Sequence, residues 1–153
     1  MNYSWFVGDI LPGNSEIPSE KISAYLATEY TVFDENPDFI LRVGEPSAVM
    51  KSYFEAYGEG SALFITAFNP QGQEQSDIEN KASHKSLGHE LQDSSRLVLE
   101  GAGSDPTGSW PSEKSYLAFG MGLEISAQIG QRFQQDAVLW VGADAVPRLM
   151  LLR

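Results

Sequence analysis

The spacing of apolar and polar residues along the chain predicts a succession of helices and strands. Residues 46–57 place Met50, Tyr53 and Phe54 at helical spacing, and Gly58 follows where a helix commonly ends. Residues 62–68 are apolar except for Thr66, as expected for a central strand that is covered on both faces. These two segments predict a helix that packs on a buried sheet.

Similar patterns occupy most of the remaining chain. Further helices are predicted over residues 18–28, 76–92 and 123–134, and further strands over residues 30–33, 39–43, 97–99, 116–119, 138–141 and 148–152. Residues 101–112 show no repeating pattern and are predicted to form a long loop. The order α-β-β-α-β-α-β-β-α-β-β predicts an α+β fold, with a mixed, largely antiparallel sheet of about six to seven strands and three to four helices.

One domain is predicted, because no linker, repeat or low-complexity tract divides the 153 residues. Residues 1–17 are expected to be an irregular N-terminal segment, and residues 18–153 to form the core. The first residues lack the pattern of an export signal and cysteine is absent, so we expect a cytoplasmic protein. The longest apolar stretches are far shorter than the roughly 20 residues that span a bilayer, so no membrane association is expected.

The net charge of −11 restricts the classes of partner. An acidic surface repels the phosphates of nucleic acids, so a nucleic-acid partner is not expected. The acidity either serves solubility or allows the N-terminal part, with Asp34, Glu35 and Asp38, to bind a basic protein partner. Both interpretations stay open, and the sequence predicts no oligomeric state.

Polar side chains are predicted to gather at one end of the central strand. On the third predicted helix, Asn80 shares a face with Leu87 and Leu91. The apolar half of that face is expected in the core, and the polar half near the strand end with Thr66 and Asn69. Ligands often bind beyond the carboxyl ends of strands, so we expect a polar pocket there. The alternative is a helix whose first turns meet only water.

Trp110 and Glu113 form a second candidate cluster, at the junction between the predicted loop and the next strand. They are expected either to contact a ligand or to cap the core edge with Glu113 in solvent. Arg132 borders the apolar face of the last predicted helix, where it could bind an anion, pair with Glu113 or extend its head into water. His84 and His89 lack the spacing of a zinc-binding pair, and no metal or other cofactor is expected.

Four landmarks occur in order along the chain: Thr66-Ala67-Phe68-Asn69-Pro70, then Asn80 and Leu87, then Trp110-Pro111-Ser112-Glu113, and finally Arg132-Phe133-Gln134-Gln135-Asp136-Ala137-Val138. Through them, about residues 20–153 resemble a bacterial family of uncharacterised proteins, domain of unknown function 3293. The family pattern has Gln-Asn-Ala where this chain has Gln135-Asp136-Ala137. The resemblance implies a small bacterial protein and provides no catalytic residue.

The residues that the spacing and the resemblance bring forward are mostly uncharged. The candidate ligand-binding residues are Thr66, Asn69, Asn80, Trp110, Glu113, Arg132 and Gln135. Such amides and hydroxyls suit recognition, so the first hypothesis is a binding or regulatory module for a small polar ligand or a protein segment. This hypothesis predicts a pocket without a perturbed acid.

Two alternatives remain. One is a hydrolase- or transferase-type enzyme in which Glu113 acts as general base, with Arg132 or Gln135 as the orienting residue. Asn69 and Asn80 would then hold the substrate. The other alternative is an acidic protein-interaction domain.

Overall fold

The computed structural model describes residues 5–6, 15–35 and 37–153. Within these residues, eight strands and four helices follow one another along the chain. They are β1 (Trp5–Phe6), α1 (Ser19–Ala27), β2 (Glu29–Val32), β3 (Phe39–Leu41), α2 (Ala48–Tyr57), β4 (Ala62–Thr66), α3 (Asp77–Ser94), β5 (Val98–Ser104), β6 (Glu113–Phe119), α4 (Leu123–Arg132), β7 (Ala137–Val141) and β8 (Pro147–Leu151). A short 3-10 turn, Pro70–Gly72, lies between β4 and α3.

From α1 onward, the predicted order of helices and strands is confirmed. The predicted irregular segment 1–17 contains the strand β1, which pairs with β8. The rest of its first fourteen residues lies outside the described residues, as does Asn36 in the predicted turn of the first hairpin. No helix in the described ranges is long and apolar enough to cross a membrane.

All eight strands form one sheet in the order β1-β8-β7-β4-β6-β5-β2-β3, and every described pairing is antiparallel. The α+β fold with a largely antiparallel sheet is confirmed. No parallel neighbours occur among these strands, because at least one other strand lies between the two strands that each crossover helix connects. Helix α3 joins β4 to β5 around β6, and α4 joins β6 to β7 around β4. These are two interlocked split β-α-β units.

Helices cover both faces of the sheet. Leu63 and Ile65 of β4 pack with Leu87 and Leu91 of α3, and α4 packs in the same layer. Residues on a strand alternate between faces, so Phe64 points to the opposite layer, with Met50 of α2. The prediction that the central strand is covered on both faces is therefore confirmed.

Helix α1 lies on the same face of the sheet as α2, but toward β8. Its residues Ile22 and Tyr25 pack against a small buried cluster that contains Leu149 and Leu151 of β8. None of the nine residues of α1 is fully buried. Lys21, Ala24 and Tyr25 of this helix form part of the wall of a cavity.

The predicted loop 101–112 is shorter in the structure, because β5 continues to Ser104 and β6 begins at Glu113. Glycine weakens strand propensity, and its presence at 101 and 103 led to the wrong prediction. Gly101 is required by a close approach. A Cβ atom there would lie 2.4 Å from the Thr31 carbonyl oxygen of β2 and 3.0 Å from the Phe64 ring. The strand therefore continues at this position because the residue is small.

Candidate functional site

A cavity of about 560 Å³ lies at the end of the sheet where β4 ends and β6 and β7 begin. Its apolar part includes Phe64, Leu139 and Leu149, and its rim is formed by α1, the segment after β4 and the loop before β6. Six of the seven predicted site residues line it: Thr66, Asn69, Asn80, Trp110, Glu113 and Gln135. The expected pocket at the carboxyl end of β4 is therefore present.

Arg132 is the predicted site residue that the structure places elsewhere. It ends α4, in the layer opposite α1, and its Nη2 atom lies 2.5 Å from Oε1 of Glu90 on α3. Neither the pairing with Glu113 nor a position in the cavity occurs. The apolar spacing of α4 could not reveal this, because Glu90 belongs to another helix of the same layer.

Asn69 is the centre of a hydrogen-bond network at the cavity wall. Its backbone adopts a left-handed conformation with φ of 46°, which asparagine tolerates better than most residues. Its backbone N–H donates to Asn80 Oδ1 and its Nδ2 donates to Glu113 Oε2, each over 3.0 Å. Its Oδ1 accepts from the Gln75 backbone N–H and from Asn80 Nδ2, also over 3.0 Å. Asn69 thus connects β4, α3 and β6.

Asn80 is held at a fixed position on α3. It is 4% exposed, and its Oδ1 also accepts from Gln75 Nε2 over 2.9 Å. The helix start is fixed by a capping box, in which Ser76 and Glu79 satisfy each other's backbone N–H groups. Asn69 and Asn80 therefore use most of their polar groups on each other, and they act mainly as support for the loop and for Glu113.

Glu113 is the acid that this support positions. It is partly buried at the start of β6, and one of its carboxylate oxygens accepts from Asn69 Nδ2. Burial raises the pKa of Glu113 above its ordinary value, and the hydrogen bond from Asn69 opposes part of that effect. The expectation of a pocket without a perturbed acid is therefore wrong.

Two other predicted residues are bound to nearby backbone. Thr66 donates from Oγ1 to the Lys114 carbonyl over 2.7 Å and accepts from the Phe68 backbone N–H over 3.0 Å. Gln135 donates from Nε2 to the carbonyls of Phe68, over 3.2 Å, and Phe133, over 3.3 Å. The Gln135 amide nitrogen already donates to these two carbonyls, so the side-chain carbonyl oxygen is the group that could bind a ligand.

The segment that contains all of these residues matches a known family. The family model described as Protein of unknown function (DUF3293) matches residues 65–138. Residues 65–138, called the DUF3293 segment below, are therefore similar to that family. The resemblance found from the sequence landmarks is confirmed over this segment, which is narrower than the expected range of about 20–153. No curated protein and no solved structure matches the chain.

The DUF3293 segment does not build the cavity alone, since α1 contributes Lys21 and Tyr25 from outside it. Tyr25 is partly buried, and its pKa is raised by that burial and by the nearby carboxylates of Asp136 and Glu113. The sequence pattern predicted that Tyr25 lies on a helix over residues 18–28. It did not indicate that the ring also lines a cavity with two acids.

Asp136, inside the DUF3293 segment, was not among the predicted site residues. It lines the cavity, it is 2% exposed, and it accepts from Arg153 Nε over 2.5 Å and from Lys21 Nζ over 3.1 Å. Burial alone would raise the pKa of Asp136, but the hydrogen bonds and charges of Arg153 and Lys21 hold it below its ordinary value. The sequence feature that could have indicated Asp136 is its position directly before the apolar residues 137–141.

Proposed function

We propose that the chain is a binding module whose cavity takes up a small polar ligand. The main support is that six predicted residues, from four separate stretches of the chain, line one cavity of about 560 Å³. That volume is in the ordinary range for small-molecule pockets. A recessed space of this kind suits a compact ligand better than an extended protein segment.

The lining of the cavity also fits a small ligand. Tyr25, Phe64 and Trp110 provide apolar surface, and Glu113 and Gln135 provide a few polar groups among them. Ligand pockets commonly combine apolar walls with a small number of fixed polar groups that orient the ligand. Asn69 fixes Glu113 before any ligand arrives, which lowers the entropic cost of binding.

The proposal is tested by filling the cavity. Ala24 of α1 lines it, so Ala24→Phe should occupy part of the space. We expect compounds from a library of small polar molecules to raise the melting temperature of the wild-type chain and to bind in isothermal titration calorimetry. The same compounds should bind Ala24→Phe at least about tenfold more weakly, which corresponds to about 1.4 kcal/mol.

Ala56→Phe is the matched control, because Ala56 is an exposed position on α2 that does not line the cavity. This variant should bind like the wild type. The proposed function is contradicted if no compound of the library binds the wild-type chain. Equal binding by wild type and a folded Ala24→Phe would show that the compounds bind elsewhere, and it would also contradict the proposal.

A second candidate function is hydrolase- or transferase-type catalysis, which the partly buried Glu113 with its raised pKa favours. Its orienting partner would be Asn69 rather than Arg132 or Gln135, because Asn69 donates to the Glu113 carboxylate. Catalysis ranks second because Thr66 Oγ1 is already bonded to backbone and the other buried acid, Asp136, is neutralised by two cations. A general base needs a partner group that these residues do not offer.

An activity screen separates the two candidates. If Glu113 is a general base, hydrolysis of an activated ester or amide by wild type should fall about 10²-fold or more in Glu113→Gln. The control Glu55→Gln changes an exposed acid on α2 and should keep the wild-type rate. Equal rates for wild type and Glu113→Gln would remove the catalytic candidate. A basic protein partner at Asp34, Glu35 and Asp38, and the cytoplasmic location, stay predictions from composition.

A further inference from the structure

The charged groups of the cavity are unequally neutralised. Lys21 donates from Nζ to the Gln71 carbonyl over 3.0 Å and to Asp136 Oδ2 over 3.1 Å, so its charge is already used within the protein. Asp136 is balanced by Lys21 and by Arg153. Within residues 15–35 and 37–153, Glu113 forms no ion pair with a lysine or arginine, and its carboxylate accepts a hydrogen bond from the neutral amide of Asn69. Glu113 is thus the acid of the cavity wall that lacks a positive partner there.

The other charges at the rim have the same sign. Glu74 and Asp77 line the opening of the cavity and are exposed. Of the charged side chains that line the described cavity, four are acids and one, Lys21, is a base. Clefts lined by one sign of charge concentrate ligands of the opposite sign. The electrostatic field at the opening therefore favours a cation.

The neutral polar groups also favour a hydrogen-bond donor. Gln135 uses its amide nitrogen on two backbone carbonyls, so its Oε1 atom is the part that a ligand can meet. Gln75 likewise donates from Nε2 to Asn80 Oδ1. Together with the Glu113 carboxylate, these side chains offer mostly acceptors. A ligand that presents N–H groups complements them.

Aromatic side chains are the third feature of the cavity that favours a cationic ligand. Trp110 from the loop and Tyr25 from α1 line the same cavity as Glu113. Aromatic rings attract ammonium and guanidinium groups through their electron-rich faces, and this attraction grows when the site is shielded from water. The acid, the acceptors and the rings therefore favour one class of ligand.

Extending the binding function proposed above, we propose that the ligand carries a protonated amine, amidine or guanidine group, and that this group pairs with Glu113 at the cavity wall. The apolar remainder of the ligand would lie against Tyr25, Trp110 and Phe64. The pair would form between a partly buried carboxylate already held by Asn69 and a charge brought in by the ligand. Such a charge-assisted hydrogen bond is stronger than one between neutral groups.

The proposed pair has a consequence for pH. A cation beside Glu113 favours its ionised form and so lowers a pKa that burial has raised. Ligand binding should then release protons at pH values between the ordinary range of a glutamate and the raised pKa of Glu113. Across that window, affinity for the cation should increase with pH.

The test compares probes that differ in charge but little in shape. Benzamidine and phenethylamine are the cationic probes, and benzamide and phenethyl alcohol are their neutral counterparts. In isothermal titration calorimetry with the full chain at pH 7, each cation should bind at least about tenfold more tightly than its neutral counterpart. Glu113→Gln should remove most of that preference, because only the rim acids and the aromatic rings would still favour the cation, whereas the control Glu55→Gln should preserve it.

The possible outcomes distinguish this inference from the binding function on which it rests. If neutral probes bind as tightly as cations, or if a folded Glu113→Gln keeps the preference for cations, the inference is overturned. The binding function survives in those cases if Ala24→Phe still weakens the neutral probes. If neither these probes nor any compound of the polar library binds the wild-type chain, both proposals are overturned.

Discussion

At the scale of single residues, two acids in one cavity have opposite pKa shifts because their partners differ. Glu113 is partly buried with a neutral amide as its partner, so burial raises its pKa. Asp136 is only 2% exposed, but Arg153 and Lys21 both donate to it, so its pKa is lowered. Environment rather than residue type therefore gives the two carboxylates different roles. Asp136 pairs with two cations, whereas Glu113 accepts from the neutral amide of Asn69.

Asp136→Asn should destabilise the chain, because it removes a negative charge that two cations surround. We expect a loss of about 2 kcal/mol in the free energy of unfolding at pH 7. The side chains of Lys21 and Arg153 are each about one-third exposed, so water can partly solvate their charges when the carboxylate is removed. The loss of stability should therefore be smaller than for a fully buried ion pair. Urea denaturation at pH 7 measures this difference.

The same substitution should show a defined pH dependence. Because folding lowers the pKa of Asp136, its charge contributes stability above the ordinary aspartate pKa of about 3.9, and this stability is lost as the pH falls through the lower folded pKa. The difference between wild type and Asp136→Asn should therefore shrink between pH 7 and pH 3. Asp93→Asn, at an exposed position of α3, should show little difference at either pH. An undiminished difference at pH 3 would contradict this explanation.

At the scale of helices and strands, local patterns predict an element well where its neighbours only reinforce it. Helix α2 ends where the sequence indicates, because Gly58 adopts a left-handed conformation with φ of 66°. Glycine ends a helix in this conformation without the steric cost of a side chain. Strand β5 is longer than predicted, because the reason for Gly101 lies in β2 and β4 rather than in its own segment. A glycine whose local sequence predicts a loop can therefore be required within a strand by a close contact with a neighbouring strand.

Gly101→Ala tests that explanation. The new methyl group would meet the Thr31 carbonyl oxygen, which is backbone and cannot rotate away, so we expect a loss of about 2 kcal/mol in the free energy of unfolding. Gly103→Ala on the same strand is the matched control. A Cβ atom at Gly103 would lie 3.6 Å from Thr28 Cγ2, an ordinary van der Waals distance, so the change should stay within about 0.5 kcal/mol.

Denaturant midpoints of the two glycine variants give the comparison directly. A large loss in Gly101→Ala with little change in Gly103→Ala would confirm that β5 is held close to β2 at one position. Equal losses in both variants would instead indicate that any side chain on this face of β5 is harmful, and the close approach to Thr31 would not be the cause.

At the scale of the whole molecule, the cavity exists because the sheet brings distant segments to one edge. Strand β4 ends at Thr66, and its antiparallel neighbours β6 and β7 begin beside it. Polar residues that follow β4 and precede β6 or β7 therefore meet without being close in sequence. This geometry explains why Asn69, Glu113 and Gln135, which lie in three separate landmarks, line one space.

The sequence by itself determined the order of helices and strands from α1 onward, the central position of β4 and six of the residues that line the cavity. These features depend on local periodicity and on the rule that side chains at neighbouring strand ends converge. Only the tertiary structure decided that Arg132 pairs with Glu90 in the opposite layer, that α1 covers the cavity, and that Asp136 meets Lys21 and Arg153. The reason is physical, because each of those contacts joins residues of different elements, and local patterns contain no information on which elements become neighbours.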